Sequence, residues 1–99
     1  MNILLVCNAG MSTGIMKMRL EEEAQKRGID ATVSAVPLVE IDEHVGNADV
    51  ILLGPQIRFA ADDVSEKAGD KLTMVISPQD FGMMNAVKVM DDILNKIQK

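Results

Sequence analysis

The strongest constraint on the fold is a regular alternation between short apolar runs and longer segments with helical spacing. Residues 3–6 are continuously apolar, which is typical of a strand buried on both faces. Segments 31–36, 49–53 and 72–76 are predicted to be three further strands, because each is short and a proline follows within two residues. Four strands that alternate with helices indicate a parallel sheet with helices on both faces.

Four segments show helical periodicity. In the first, the apolar stripe runs over residues 13–24, and Gly28 is positioned to end the helix. A short helix is predicted at 38–45, a third at 57–68, and a long amphipathic helix at 83–97. Right-handed crossovers leave few topologies for such a chain. We predict a single α/β domain over 1–99, with a flavodoxin-like three-layer fold and a four-stranded parallel sheet in the order 2-1-3-4.

This strand order predicts where the functional site lies. In open parallel sheets, ligands bind outside the carboxyl ends of the strands, at the point where the strand order reverses. That point falls between the first and third strands, so the segments expected to meet there are 7–13 and 54–57. Cys7, the single cysteine of the chain, is therefore predicted to lie at the site of chemistry.

Composition excludes several classes of function. A net charge of −5 argues against nucleic acid or an anionic membrane as a partner, since both require a clustered basic surface. One cysteine cannot form an internal disulfide, which fits a reducing compartment. The amino-terminal segment has no basic leader, and no run is long enough to span a membrane, so we expect a cytoplasmic protein. We predict no cofactor, and no metal site because the acidic residues do not cluster on one loop.

The segment after the first predicted strand has the composition of a phosphate-binding loop. Gly10 allows the backbone to curl so that its N–H groups point inward, and the next helix adds the positive end of its dipole. Ser12 and Thr13 add hydroxyl donors to the same centre. The predicted phosphate-binding residues are Asn8, Ala9, Gly10, Met11, Ser12 and Thr13. A thiol at the edge of such a loop indicates phosphoryl transfer through phosphocysteine at Cys7.

Two other classes of protein have sequence features in common with this chain. The loop resembles that of low-molecular-weight phosphatases and arsenate-reductase-like hydrolases, whose pattern is Cys, five residues, then Arg. Thr13 occupies the Arg position, which argues against a hydrolase, and Asp80 is the only candidate for its general acid. The second class is a non-catalytic flavin- or nucleotide-binding module. Two phenylalanines, with no tyrosine or tryptophan, are too few aromatic residues to hold a flavin ring.

Two motifs resemble the lactose/cellobiose family of phosphotransferase system IIB components. They are Cys-Asn-Ala-Gly-Met-Ser-Thr at 7–13 and Leu-Leu-Gly-Pro-Gln-Ile at 52–57. The resemblance implies a phosphocarrier whose Cys7 accepts a phosphoryl group from the phosphohistidine of a IIA protein. It further implies transfer to a sugar imported through a membrane IIC protein, and the small separate chain favours cellobiose, chitobiose or a related β-glucoside. A carrier that passes phosphate between proteins is expected to have an open, shallow site.

Residues near the second motif have less specific predicted roles. Gly54 and Pro55 end a strand, while Gln56 is predicted either to contact the phosphate loop or to dock a partner. Arg58 and Lys17 are candidates for attracting a phosphorylated partner. His44, the only histidine, is expected on a surface helix away from the loop, so the histidine of the reaction would come from the partner.

Overall fold

Four parallel strands form one sheet in the order β2-β1-β3-β4, as predicted. The structure is a computed structural model that describes residues 1–7 and 13–97, with only the backbone at residue 13. The strands are β1 (Asn2–Cys7), β2 (Thr32–Pro37), β3 (Val50–Leu53) and β4 (Leu72–Val75). Since β1 pairs with both β2 and β3, it lies inside the sheet, and its carboxyl end is flanked on both sides.

The two central strands are buried on both faces, which explains their continuous apolar sequence. Successive side chains of a strand point to opposite faces, and the core divides accordingly. Ile3 and Leu5 pack into one apolar cluster together with helix residues Met16, Leu20 and Met90. The alternate residues of the same strand, Leu4 and Val6, point to the other face and pack into a second cluster there.

In the described part of the chain, five α-helices connect or follow the strands. They are α1 (Thr13–Lys26), α2 (Ile41–His44), α3 (Ala61–Ala68), α4 (Pro78–Gly82) and α5 (Ala86–Ile97). Short 3-10 turns lie at Leu38–Glu40, Val45–Asn47 and Pro55–Ala60. Helices α1 and α5 contribute to the first apolar cluster and α2 and α3 to the second, so helices cover both faces of the sheet.

The predicted end of α1 is confirmed. Gly28 has a φ of 72°, in the left-handed region, and the N–H of Ile29 donates to the carbonyl of Ala24 at 2.8 Å. This pairing satisfies a carbonyl of the last helical turn. A side chain at position 28 would strain the backbone, which is why glycine terminates this helix.

The predicted carboxyl-terminal helix is too long at its start. It begins at Ala86, and Pro78–Gly82 forms the separate helix α4. The break occurs at Met84, whose φ of 51° cannot continue a right-handed helix. The Ser77 hydroxyl accepts the N–H of Asp80 at 3.0 Å and caps α4. Likewise, the predicted helix at 57–68 is divided into a 3-10 turn followed by α3.

Within 1–7 and 13–97, the structure contains no helix with the length and apolar character that a membrane crossing requires.

Candidate functional site

Cys7 is the last residue of β1 and lies at the carboxyl edge of the sheet. Its Cα is paired with that of Pro37 on β2. On the other side, the N–H of Gly54 donates to the carbonyl of Val6 at 2.9 Å, which extends the pairing of β1 and β3 by one residue. Of the two segments predicted to meet, 7–13 and 54–57, the structure places Cys7 beside Gly54, while residues 8–12 lie outside the described residues.

Three side chains, each at or after the end of a different strand, lie close to the Cα of Gly54. A Cβ on Gly54 would lie 3.0 Å from Oε1 of Gln56, 3.5 Å from Cβ of Cys7 and 3.7 Å from Cε2 of Phe81. Cys7 ends β1, Gln56 follows β3, and Phe81 lies on α4 after β4. Parallel strands bring their carboxyl ends to one edge, so residues distant in sequence become neighbours there.

Cys7 is less accessible than the open site expected from the sequence. Its side chain is 4 % exposed. It lies on an inner strand, with β2 on one side and the Gly54 backbone on the other.

A groove of about 530 Å³ lies next to this point. It is lined by Pro55, Gln56, Arg58, Phe59, Pro78, Phe81 and Gly82. Gln56 and Phe81 belong both to the groove and to the surroundings of Gly54, so the groove shares two of its walls with the residues around Cys7. Phe59 is 78 % exposed, which places an unburied aromatic ring at the groove.

The other predicted site residues are distributed as follows. Asn8, Ala9, Gly10, Met11 and Ser12 lie outside the described residues, and the backbone of Thr13 begins α1.

Of the residues near the second motif, Pro55 begins the 3-10 turn after β3, and Arg58 lines the groove. Lys17 pairs with Glu21 at 3.3 Å, one turn further along α1.

His44 is far from Cys7 along β1. It lines a small pocket with Asn2 and Ile3 at the start of the strand, whereas Cys7 is at its end. The expected surface-helix location of His44 is confirmed, with its Nε2 4.0 Å from Oε1 of Glu40. The ligand atoms of Glu40, Glu43 and His44 lie within 4.8 Å of one another. These groups are largely exposed, and such a cluster alone does not define a metal site.

Hydrogen bonds to carboxylates displace the pKa values of two basic side chains, Arg27 and Lys88, near helices α1 and α5. Hydrogen bonds to Glu23 and then to Asp91 raise the pKa of the Arg27 guanidinium. A hydrogen bond to Asp92 raises the pKa of the Lys88 ammonium. Arg27 follows α1 and Lys88 lies on α5, so these shifts report helix contacts and not the chemistry of Cys7.

Phe81 is the neighbour of the site that sequence reasoning missed. It lies on α4, whose start is indicated by Ser77 as the capping residue and by Pro78 at the first helical position. The pair Ser77-Pro78 is therefore the sequence signal that could have placed Phe81 at the same sheet edge as Cys7.

A parallel sheet in the order 2-1-3-4 with helices on both faces is the flavodoxin-like architecture, in which ligands bind at the strand-order reversal where Cys7 lies. A sequence model described as "PTS system, Lactose/Cellobiose specific IIB subunit" matches residues 2–92. The chain belongs to this family, and it is a sugar-specific component of a phosphotransferase system.

Individual relatives agree with the family match. The galactose-specific EIIB component of Lactococcus lactis subsp. cremoris and the cellobiose-specific EIIB component of L. lactis subsp. lactis are each 36% identical over 96 residues. Each alignment covers 89% of this chain and 88% of the relative. The solution structure of the cellobiose-specific IIB component from Borrelia burgdorferi is 39% identical, with a TM-score of 0.75, covering 96% of this chain and 89% of that one.

Proposed function

We propose that Cys7 carries the phosphoryl group between a IIA protein and a sugar. The observation that carries this proposal is the position of Cys7, which ends β1 beside the turn that follows β3. Ligands of open parallel sheets bind at this point. Cys7 is also the only cysteine of the chain, so no other thiol can serve as the nucleophile.

The first step is attack of the Cys7 sulfur on the phosphorus of a phosphohistidine on the IIA protein. The S–P bond forms as the N–P bond breaks, and the thiol proton is balanced by protonation of the released imidazole. The chain has one histidine, His44, at the opposite end of β1, so the phosphohistidine belongs to the partner.

The second step transfers the group to a sugar hydroxyl presented by the membrane IIC protein. The O–P bond forms as the S–P bond breaks, the thiolate leaves, and the hydroxyl proton passes to solvent or to the sulfur. Catalysis of this kind of transfer consists mainly of positioning and electrostatic stabilisation.

The proposed phosphate cradle is the segment from Asn8 to Thr13, supported by its sequence and by the start of α1 at Thr13. Backbone N–H groups before a helix start and the positive end of the helix dipole favour an anion. Gly54, Pro55 and Gln56 form the neighbouring wall, with Gly54 next to Cys7.

The proposed sugar is cellobiose, chitobiose or a related β-glucoside. Relatives named for cellobiose and for galactose are equally identical to this chain, so overall identity does not select between them. Transfer to an imported sugar takes place on the cytoplasmic face of the IIC protein, and we place this protein there.

The test is phosphorylation from phosphoenolpyruvate with the general phosphotransferase proteins, with and without a IIA protein of the lactose/cellobiose class. We expect one added phosphoryl group, dependent on IIA, and peptide mass spectrometry should locate it on Cys7. A phosphoryl group on any other residue, or none with several such IIA proteins, would overturn the proposal.

A further inference from the structure

The side-chain amide of Gln56 lies next to Cys7 because Gly54 leaves room for it. Oε1 of Gln56 and Cβ of Cys7 are 3.0 Å and 3.5 Å, respectively, from the point where a Cβ on Gly54 would be. The amide oxygen and the Cys7 side chain therefore lie against the same small space in front of Gly54, at the carboxyl ends of β1 and β3.

At position 54, the absence of a side chain matters because it leaves room for neighbouring atoms, whereas the backbone angles there do not require glycine. Its φ of −63° and ψ of 152° are extended values that any residue before a proline adopts. A Cβ 3.0 Å from Oε1 of Gln56 would be closer than ordinary van der Waals contact, so the amide would have to move. An alanine at this position is thus compatible with the backbone, and it would push the exposed Gln56 amide from its present place by a few tenths of an ångström.

The backbone that carries Gln56 is fixed, while its amide is accessible. Pro55 precedes it at the first position of the 3-10 turn, and Ile57 follows it with a fully buried side chain. The N–H of Ile57 donates to the carbonyl of Gly54 at 3.1 Å, which closes the turn around Gln56. The Gln56 side chain is exposed and makes no hydrogen bond to any residue in the described part of the chain. Its two N–H donors are therefore able to bind a ligand.

We propose that Gln56 is a catalytic residue whose side-chain amide donates a hydrogen bond to a phosphoryl oxygen on Cys7. The inference rests on the proposed function, since it assigns a donor to the phosphocysteine. An amide is neutral, so it stabilises the phosphoryl oxygens without the charge that an arginine would bring. That suits a group that has to be held and then released to an acceptor.

The test is the equilibrium distribution of the phosphoryl group between a IIA protein and variants of this chain. Gln56→Met keeps the length of the side chain and removes the donors, and Gln56→Glu replaces them with a negative charge at nearly constant shape. Gln25→Glu is the charge-matched control, because Gln25 is exposed near the far end of α1. We expect the equilibrium to shift toward phospho-IIA by about tenfold for Gln56→Met and by more for Gln56→Glu. Gln25→Glu should behave like the wild type.

A second measurement uses the geometry at Gly54. Gly54→Ala should shift the equilibrium in the same direction as Gln56→Met, and the double variant should be no worse than the larger single effect. Gly46→Ala is the control, since Gly46 is exposed in the 3-10 turn after α2, away from the groove, and a Cβ there meets nothing within 4 Å. In the isolated phosphoprotein, the Gln56 side-chain amide resonances should move on phosphorylation, with those of Gln25 as the unaffected reference.

The outcomes separate this inference from the proposed function. If the wild type accepts no phosphoryl group on Cys7, the proposed function fails and the inference fails with it. If the wild type is phosphorylated on Cys7 while both Gln56 variants match Gln25→Glu, only the role of Gln56 is overturned. Additive effects of Gly54→Ala and Gln56→Met would also contradict the inference, because they would show that the two changes act separately.

Discussion

Gly54 and Cys7 are in contact distance across the carboxyl edge of the sheet: a Cβ on Gly54 would lie 3.5 Å from that of Cys7. The two residues are 47 positions apart in sequence, and each follows the last apolar residue of an inner strand. Their neighbourhood follows from the pairing of β1 with β3, whose last hydrogen bond joins Gly54 to Val6 at 2.9 Å. Cys7 is thus placed beside Gly54 by strand order and not by local sequence.

Replacement of the thiol gives the first prediction. Cys7→Ser and Cys7→Ala should retain the fold and lose phosphoryl acceptance from IIA, because no second cysteine is present. Loss of this small buried side chain should lower the free energy of unfolding by about 1 kcal/mol. Mass spectrometry measures acceptance, and thermal unfolding followed by circular dichroism serves as the control for folding. Full acceptance by the folded alanine variant would contradict the assignment.

The second prediction concerns water as an acceptor. Isolated phosphoprotein should be long-lived without sugar and IIC, and the protein should not turn over p-nitrophenyl phosphate. An oxyanion donor contributes roughly 10²- to 10³-fold in rate, and Thr13 stands where phosphatases have their arginine. Release of inorganic phosphate from the purified phosphoprotein measures this directly. Rapid release that depends on Cys7 would restore the hydrolase interpretation.

The contact between α1 and α5 gives the third prediction. Arg27 donates to Glu23 at 2.6 Å, to Asp91 at 2.8 Å and to the carbonyl of Val87 at 3.3 Å, so it joins two helices. Arg27→Met should lower the melting temperature more than Lys88→Met, because Lys88 pairs with Asp92 inside α5 alone.

Thermal unfolding at low and high salt measures the effect, and the difference should shrink as salt screens the charges. The pKa of Arg27 is raised in the folded protein, so this contribution is present below its ordinary pKa and is lost only as the pH rises above it. Stability from Arg27 should therefore be constant around neutral pH. Equal melting temperatures for the two variants would contradict the bridging role.

The turn between α4 and α5 gives the fourth prediction. Met84 has a φ of 51°, which is unfavourable for any side chain and more so for one branched at Cβ. Met84→Val should lower the free energy of unfolding by about 1–2 kcal/mol, whereas Met84→Leu should cost less. Met83→Val is the neighbouring control, since Met83 is exposed and has right-handed backbone angles. Its effect should stay within about 0.5 kcal/mol. A similar loss in all three variants would show that the backbone angle is not the cause.

The fold was largely predictable because periodicity and handedness are local rules. The run at 3–6 indicated an inner strand, and right-handed crossovers led to the observed strand order. The start of α5 was not predictable from apolar spacing, since Met83 fits the helical pattern. The helix starts at Ala86 because Met84 has a left-handed backbone angle and because the Asn85 side chain accepts the N–H of Lys88 at 3.2 Å.

The site was predictable in part for the same reason. Strand order placed Cys7 beside the turn at 54–57, yet it gave no information on which side chains would fill the space. Phe81 reaches that space from α4, and its place depends on packing between elements remote in sequence. The sequence also did not indicate why position 54 is a glycine. The reason is the close packing of neighbouring atoms around its Cα, which only the structure shows.

The two apolar clusters pack on opposite faces of the same sheet, and Cys7 is the last residue of the inner strand β1. Alternate residues of β1, such as Leu5 and Val6, belong to different clusters. Displacement of β1 would therefore disrupt the packing on both faces of the sheet at once. The backbone amides of β1 and β3 should consequently be among the slowest to exchange with deuterium. The residue proposed to be phosphorylated and dephosphorylated in every cycle thus lies at the end of the strand that we expect to be most resistant to local unfolding. Any adjustment needed to reach its sulfur has to come from the surrounding turns or from the partner.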